Sequence, residues 1–207
     1  MNQERKWIGL KDLILVTLLS ALWIAVSAVV MLPFTTNLTL AMTLGPALAL
    51  IVSGTIYMLM CAKAPRHGTL LLFLVIEAIY NYITVGVILV AVLNVVTGII
   101  MELIMLNGGY KNKIRLAVAY AVFGICWVMA PAISVLSTRA ATEQALLAGG
   151  FDQAYIDSAF AMYSARNLIL DCVIVAAAAV VGSLIGYRLL KKHFMPAGVV
   201  TDDGSES

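Results

Sequence analysis

The stretch 13–33, LILVTLLSALWIAVSAVVMLP, contains no charged side chain, and its reading decides the fold. About 20 apolar residues in helical form cross the ~30 Å hydrocarbon layer of a bilayer. The run is too long for the apolar centre of a secretory leader and no small-residue cleavage pattern follows it, so it is expected to remain as a membrane helix. Five further apolar runs follow, at 39–61, 69–86, 88–106, 115–137 and 166–188. Polar breaks such as KAPRHG (63–68) and NGGYKNKIR (107–115) separate them. Runs three and four are divided only by TVGV (84–87) and are expected to form a tight hairpin, since together they are too long for one crossing.

The composition agrees with this reading. Of 207 residues, 62% are hydrophobic and 12% charged, whereas a soluble domain has roughly 45–50% and 25%. The mean hydropathy is +1.00. The expected fold class is therefore an all-α membrane protein, a bundle of six transmembrane helices. Residues 1–12 form an N-terminal segment, 13–192 the membrane domain and 193–207 a disordered tail. Cys61, Cys126 and Cys172 each lie inside an apolar run with no CxxC pairing, and read as small buried side chains rather than a disulfide framework.

Charge sets the expected orientation. Six crossings place Arg5, Lys6, Lys11, Lys63, Arg66, Lys111, Lys113, Arg115, Arg188, Lys191 and Lys192 on one side, and only Arg139 and Arg166 on the other. Eleven against two predicts cytoplasmic termini. These cations read as contacts to anionic lipid headgroups rather than to nucleic acid. Trp7, beside Lys6, reads as an interfacial anchor, and His67 and His193 as headgroup or partner contacts. The external segment 138–165 is too polar to cross and too long for a plain turn. Two short helices are expected in it, one ended by Gly149 and Gly150 and one capped by Asp152. It serves either as a lid over an external cavity or as an amphipathic pair lying on the bilayer.

Polar residues inside apolar runs are costly and mark cavities or helix contacts. Glu77 lies mid-run, with Asn81 one turn on. A candidate substrate pocket in the external half comprises Tyr80, Asn81, Asn94, Trp127, Arg139, Arg166, Asn167 and Asp171. The competing reading is interhelical hydrogen bonding. With both acidic and basic side chains in this set, the charge of the ligand stays open. Glu102 is expected to pair with Lys111 or Lys113 as a structural ion pair. No phosphate-binding loop, nucleophile elbow or metalloprotease motif is present, so no enzyme activity, cofactor or metal site is expected.

Two small-residue faces stand out. Thr17, Ala21, Ala25 and Ala28 form a smooth ridge on the first helix, and Ala178, Gly182 and Gly186 recur four apart on the last. Such faces allow backbones to approach closely. Spacing alone leaves open whether the partner is internal or another protein.

The segments KDLILVTLLSAL, AKAPRHG, GGYKNKIR and GYRLLKKHFMPAG resemble the Trep_Strep group of bacterial integral membrane proteins, over about residues 9–198. That group is similar to the substrate-binding S components of energy-coupling factor (ECF) transporters. The resemblance implies six spans in the bacterial plasma membrane and capture of a vitamin-like molecule outside. It also implies delivery inward with a membrane coupling protein and two ATPase subunits. An AxxxA pattern in the first span contacts the coupling protein in such transporters, and Ala21 and Ala25 match it, which assigns the ridge from Thr17 to Ala28 to partner docking. Two rival functions remain, a self-contained proton-coupled carrier using Glu77 or Asp171, and a ligand-free membrane scaffold.

Overall fold

The structure, a computed structural model, describes residues 7–194. The expected tail beyond 194, together with Arg5, Lys6 and the His193 side chain, lies outside the described residues. Eight α-helices are present: α1 (Leu10–Met31), α2 (Leu38–Lys63), α3 (Thr69–Val85), α4 (Ile88–Ile104), α5 (Lys113–Ser137), α6 (Arg139–Ala148), α7 (Gln153–Met162) and α8 (Ala165–Leu189). Each of the six apolar runs forms one helix, and the polar 138–165 segment forms α6 and α7. Asp152 accepts a 2.7 Å hydrogen bond from Tyr155 N, fixing the start of α7.

Among the described residues, four helices, α1, α2, α5 and α8, are long and apolar enough to cross a bilayer. α3 and α4 have 17 residues each, so each spans only about 25 Å at 1.5 Å per residue. Their hairpin turns at Gly86, whose φ of 74° lies in the left-handed region that a side chain rarely adopts. That early turn limits both helices.

The helices close into a ring in which α1 packs on α2, α2 on α8, α8 on α5, α5 on α4, α4 on α3, and α3 on α1. Aromatic side chains fill the middle. The Trp23 ring meets Phe73, Phe123 and Trp127 edge-on at 5.1–5.5 Å. Its indole N–H donates to Tyr120 Oη (3.1 Å), whose hydroxyl donates to the Leu50 carbonyl (3.1 Å). This chain ties α1, α5 and α2 together while leaving the indole and phenol donors satisfied.

The closest helix approach is α2 on α8. A methyl group added at Gly186 would stand 2.8 Å from Gly54 O and from Thr55 Cα, and one at Gly182 would stand 2.8 Å from Ile51 Cα. Ala178, Gly182 and Gly186 are buried, so this small-residue face is consumed inside the bundle. The ridge on α1 lies differently: Thr17, Ala21, Ala25 and Ala28 are all exposed. Val16, Ser20, Trp23 and Ser27 form the inward face of α1 instead.

At the end of the ring where α1 begins, a polar network clamps the chain. Arg66 pairs with Asp12 at 3.2 Å, and Ile8 N donates to His67 O at 3.1 Å. Glu102 Oε1 accepts from Leu70 N (2.8 Å), Leu71 N (3.3 Å) and Tyr110 Oη (2.6 Å), while Oε2 lies 3.7 Å from His67 Nδ1. The expected pairing of Glu102 with Lys111 or Lys113 is replaced by this arrangement. The amides at the start of α3 have no helical acceptor, and a carboxylate there meets both the orphan donors and the helix dipole. Burial, and then the Glu102 charge, push the Tyr110 phenol well above its ordinary range, so it stays a donor. Lys113 lies over the Tyr187 ring at 5.8 Å, and Trp7 stacks obliquely on His67 at 6.1 Å. Cys61, Cys126 and Cys172 are all free.

Candidate functional site

At the opposite end of the ring, two cavities flank a partition made by Met31 and Trp127, which line both. The first has a volume of about 190 Å³ and lies between α2, α5 and α8, beside the end of α7. Its wall includes Pro46 and Pro131, the prolines inside α2 and α5. A proline withdraws the N–H that would bond the carbonyl four residues earlier, bending the helix and freeing the Met42 and Trp127 carbonyls from that bond. Asp171, one turn into α8, lines the same lobe and is 6% exposed. Tyr163, at the end of α7, closes it from above. Partial burial raises the pKa of its phenol, which therefore stays a hydrogen-bond donor.

The second lobe has a volume of about 220 Å³ and lies between α1, α3 and α5. Trp23 forms its floor beside Trp127, and Tyr80 and Thr84 stand at its exposed rim. Glu77 lines the wall at 2% exposure. Asn81 Nδ2 donates to Glu77 O (2.9 Å) and to Oε2 (3.3 Å), but Glu77 Oε1 has no hydrogen-bond partner.

The structure divides the sequence-derived candidates. Tyr80, Asn81, Trp127 and Asp171 line the two lobes. Asn94, Arg139, Arg166 and Asn167 line neither. Asn94 is buried within the helix packing and donates to Val90 O one turn back (3.1 Å). Arg139 leaves the lobes to lie over the Phe160 ring at 4.7 Å, joining α6 to α7. Arg166 is exposed. Asn167 Nδ2 donates to Ala161 O at 3.0 Å and ties the start of α8 to the end of α7. The charged pair at 139 and 166 therefore belongs to the outer connection, and the lobes hold carboxyl groups alone as charged lining.

Lining residues outside the candidate set include Trp23, Ser27, Met31 and Tyr163. Glu77 carried a signal in the sequence, as an acidic residue in the middle of an apolar run. Trp23, Ser27 and Met31 look like ordinary core positions of α1 until its rotation is seen, and Tyr163 comes from the end of α7, in the polar external segment. Among the described residues, no group of three or more His, Cys, Asp or Glu side chains is placed to hold a metal ion.

A ring of long apolar helices, capped at one end by a polar network and hollowed at the other, defines a multi-helix integral membrane protein. The chain belongs to the Trep_Strep family, described as hypothetical bacterial integral membrane proteins, which it matches over residues 10–195. No curated protein and no solved structure gives a significant match.

Proposed function

We propose that this protein is the substrate-capturing subunit of an energy-coupling factor transporter. It binds a vitamin-like small molecule at the external face of the bacterial plasma membrane, and a membrane coupling protein with two ATPase subunits drives uptake. The observation that carries this reading is the pair of cavities at the end of the ring away from the basic connections, one of them lined by Met162 and Tyr163 at the end of α7. Few basic residues lie at that end, so the positive-inside bias makes it the outer face. Aromatic walls with a few polar groups suit a small organic molecule. Six crossings are part of the proposal, with the short α3–α4 hairpin accommodated by local bilayer thinning. The chain has no nucleotide-binding loop, so the energy comes from partners. The exposed ridge of Thr17, Ala21, Ala25 and Ala28 is the docking face for the coupling helices, with Ala28 at its end also lining the Glu77 lobe.

The test is affinity capture of the tagged chain from its native membranes in mild detergent. The expected result is recovery of a membrane coupling protein and two ATP-hydrolysing subunits in fixed proportion. Recovery of the chain alone contradicts the reading. The unpartnered Glu77 oxygen supports a second reading, a proton-coupled carrier. Uptake that survives loss of the ATPases but collapses with a proton ionophore would establish that alternative.

A further inference from the structure

We infer that the captured molecule is an organic cation, a flat ring bearing a basic nitrogen, held between the Glu77 carboxyl group and the aromatic walls of its lobe. This inference rests on the substrate-capture reading and adds the chemical class of the ligand. Three observations carry it. First, Glu77 is 2% exposed and its Oε1 has no partner. Buried carboxyl oxygens are normally matched by donors, so an unmatched oxygen on a side chain that lines the lobe leaves a place for a donor from the ligand. Second, the other lobe also presents a buried carboxyl, Asp171, which accepts no hydrogen bond from another described residue. No Lys, Arg or His is among the described residues that line either lobe. Of the two arginines that would have matched an anion, Arg139 lies over the Phe160 ring and Arg166 is exposed at the start of α8. Third, Trp23, Tyr80 and Trp127 surround the Glu77 lobe. Indole and phenol faces attract cations and stack on flat rings.

The remaining polar groups agree with this assignment. Asn81 spends its amide N–H donors on Glu77 itself, which leaves its amide oxygen as an acceptor. Ser27, on the wall of the lobe, shares its Oγ with Ser53 Oγ at 2.9 Å. The lobe therefore offers acceptors and ring faces, and its donors for a carboxylate or phosphate are neutral ones, the Tyr80 hydroxyl and the Trp127 indole N–H.

The test uses three probes that share one ring and differ in charge: benzylamine, benzyl alcohol and benzoate. Thermal unfolding of the full chain in detergent is followed against each. Benzylamine is expected to raise the melting temperature in a saturable manner, with benzyl alcohol weaker and benzoate without effect. Glu77→Gln should lower benzylamine affinity by about 10- to 100-fold, the loss of one charge-assisted hydrogen bond, and leave benzyl alcohol unchanged. Equal stabilisation by all three probes, a preference for benzoate, or no stabilisation by benzylamine overturns the cation assignment. An unchanged affinity in Glu77→Gln removes Glu77 from the site. None of these results bears on substrate capture itself, which native mass spectrometry judges by detecting a retained solute of any charge.

Discussion

Two glutamates in apolar helices, Glu77 buried and Glu102 half-buried, show how environment separates a structural role from a binding one. Glu102 Oε1 meets three donors and anchors the start of α3. Its replacement by alanine strands the amides of Leu70 and Leu71 in a buried corner, and should lower stability by about 1–3 kcal/mol. Calorimetric or thermal unfolding in detergent measures this, and a change near zero would show that water replaces the carboxylate. Glu102 Oε2, 3.7 Å from His67 Nδ1, accepts no hydrogen bond, and neither does Glu77 Oε1, but only the Glu77 side chain lines one of the lobes. Glu77→Gln should leave the ligand-free protein as stable as before or more stable, by up to about 1 kcal/mol, while weakening binding. A large loss of stability in ligand-free Glu77→Gln would mark the side chain as part of the fold. Both glutamates were visible in the sequence as acids in apolar surroundings. Their different roles were not, because the donors that satisfy Glu102 come from α3 and from Tyr110, on other parts of the chain.

At the scale of the helix, two small-residue faces with the same spacing have opposite fates. On α8, Gly182 and Gly186 stand against the α2 backbone at Ile51 and Thr55. Gly182→Val should cost about 1–3 kcal/mol through overpacking, or abolish folding, and the loss is read from thermal unfolding and expression. On α1, Ala21 and Ala25 are exposed. Ala21→Leu and Ala25→Leu should change stability by less than about 0.5 kcal/mol yet remove the coupling protein from affinity-captured material. Misfolding of both variants would show that the ridge packs within its own bundle. Spacing could not separate the two faces, since it reports closeness of packing and not the identity of the neighbour. The facing glycine, Gly54, belongs to a helix whose rotation the sequence does not reveal. Helix limits were more legible, because they follow local chemistry: Gly86 turns the α3–α4 hairpin, and Asp152 caps α7.

For the whole molecule, the charge count and the cavities point to the same polarity. The polar clamp of Asp12, Arg66, His67 and Glu102 lies at the basic end, and the two lobes open at the other. A reporter active only outside the cell should work when inserted at Gly149–Gly150, and a fluorescent protein should mature at the C-terminus; the reverse pattern would invert the proposed direction of transport. Apolar runs and charge asymmetry made the helix ring and its expected polarity legible from sequence. The site was legible only in part. Tyr80, Asn81, Trp127 and Asp171 line the lobes, while Arg139 joins α6 to α7 and Arg166 is exposed at the start of α8. Aromatic residues such as Trp23 pass for core until three helices are seen around one space. The claim that this space exists to carry a molecule inward is tested most directly by native mass spectrometry of the chain purified from its own membranes. The account predicts one small solute bound per chain, lost on heating. A chain that shows only its own mass, and that no candidate solute stabilises, would contradict it.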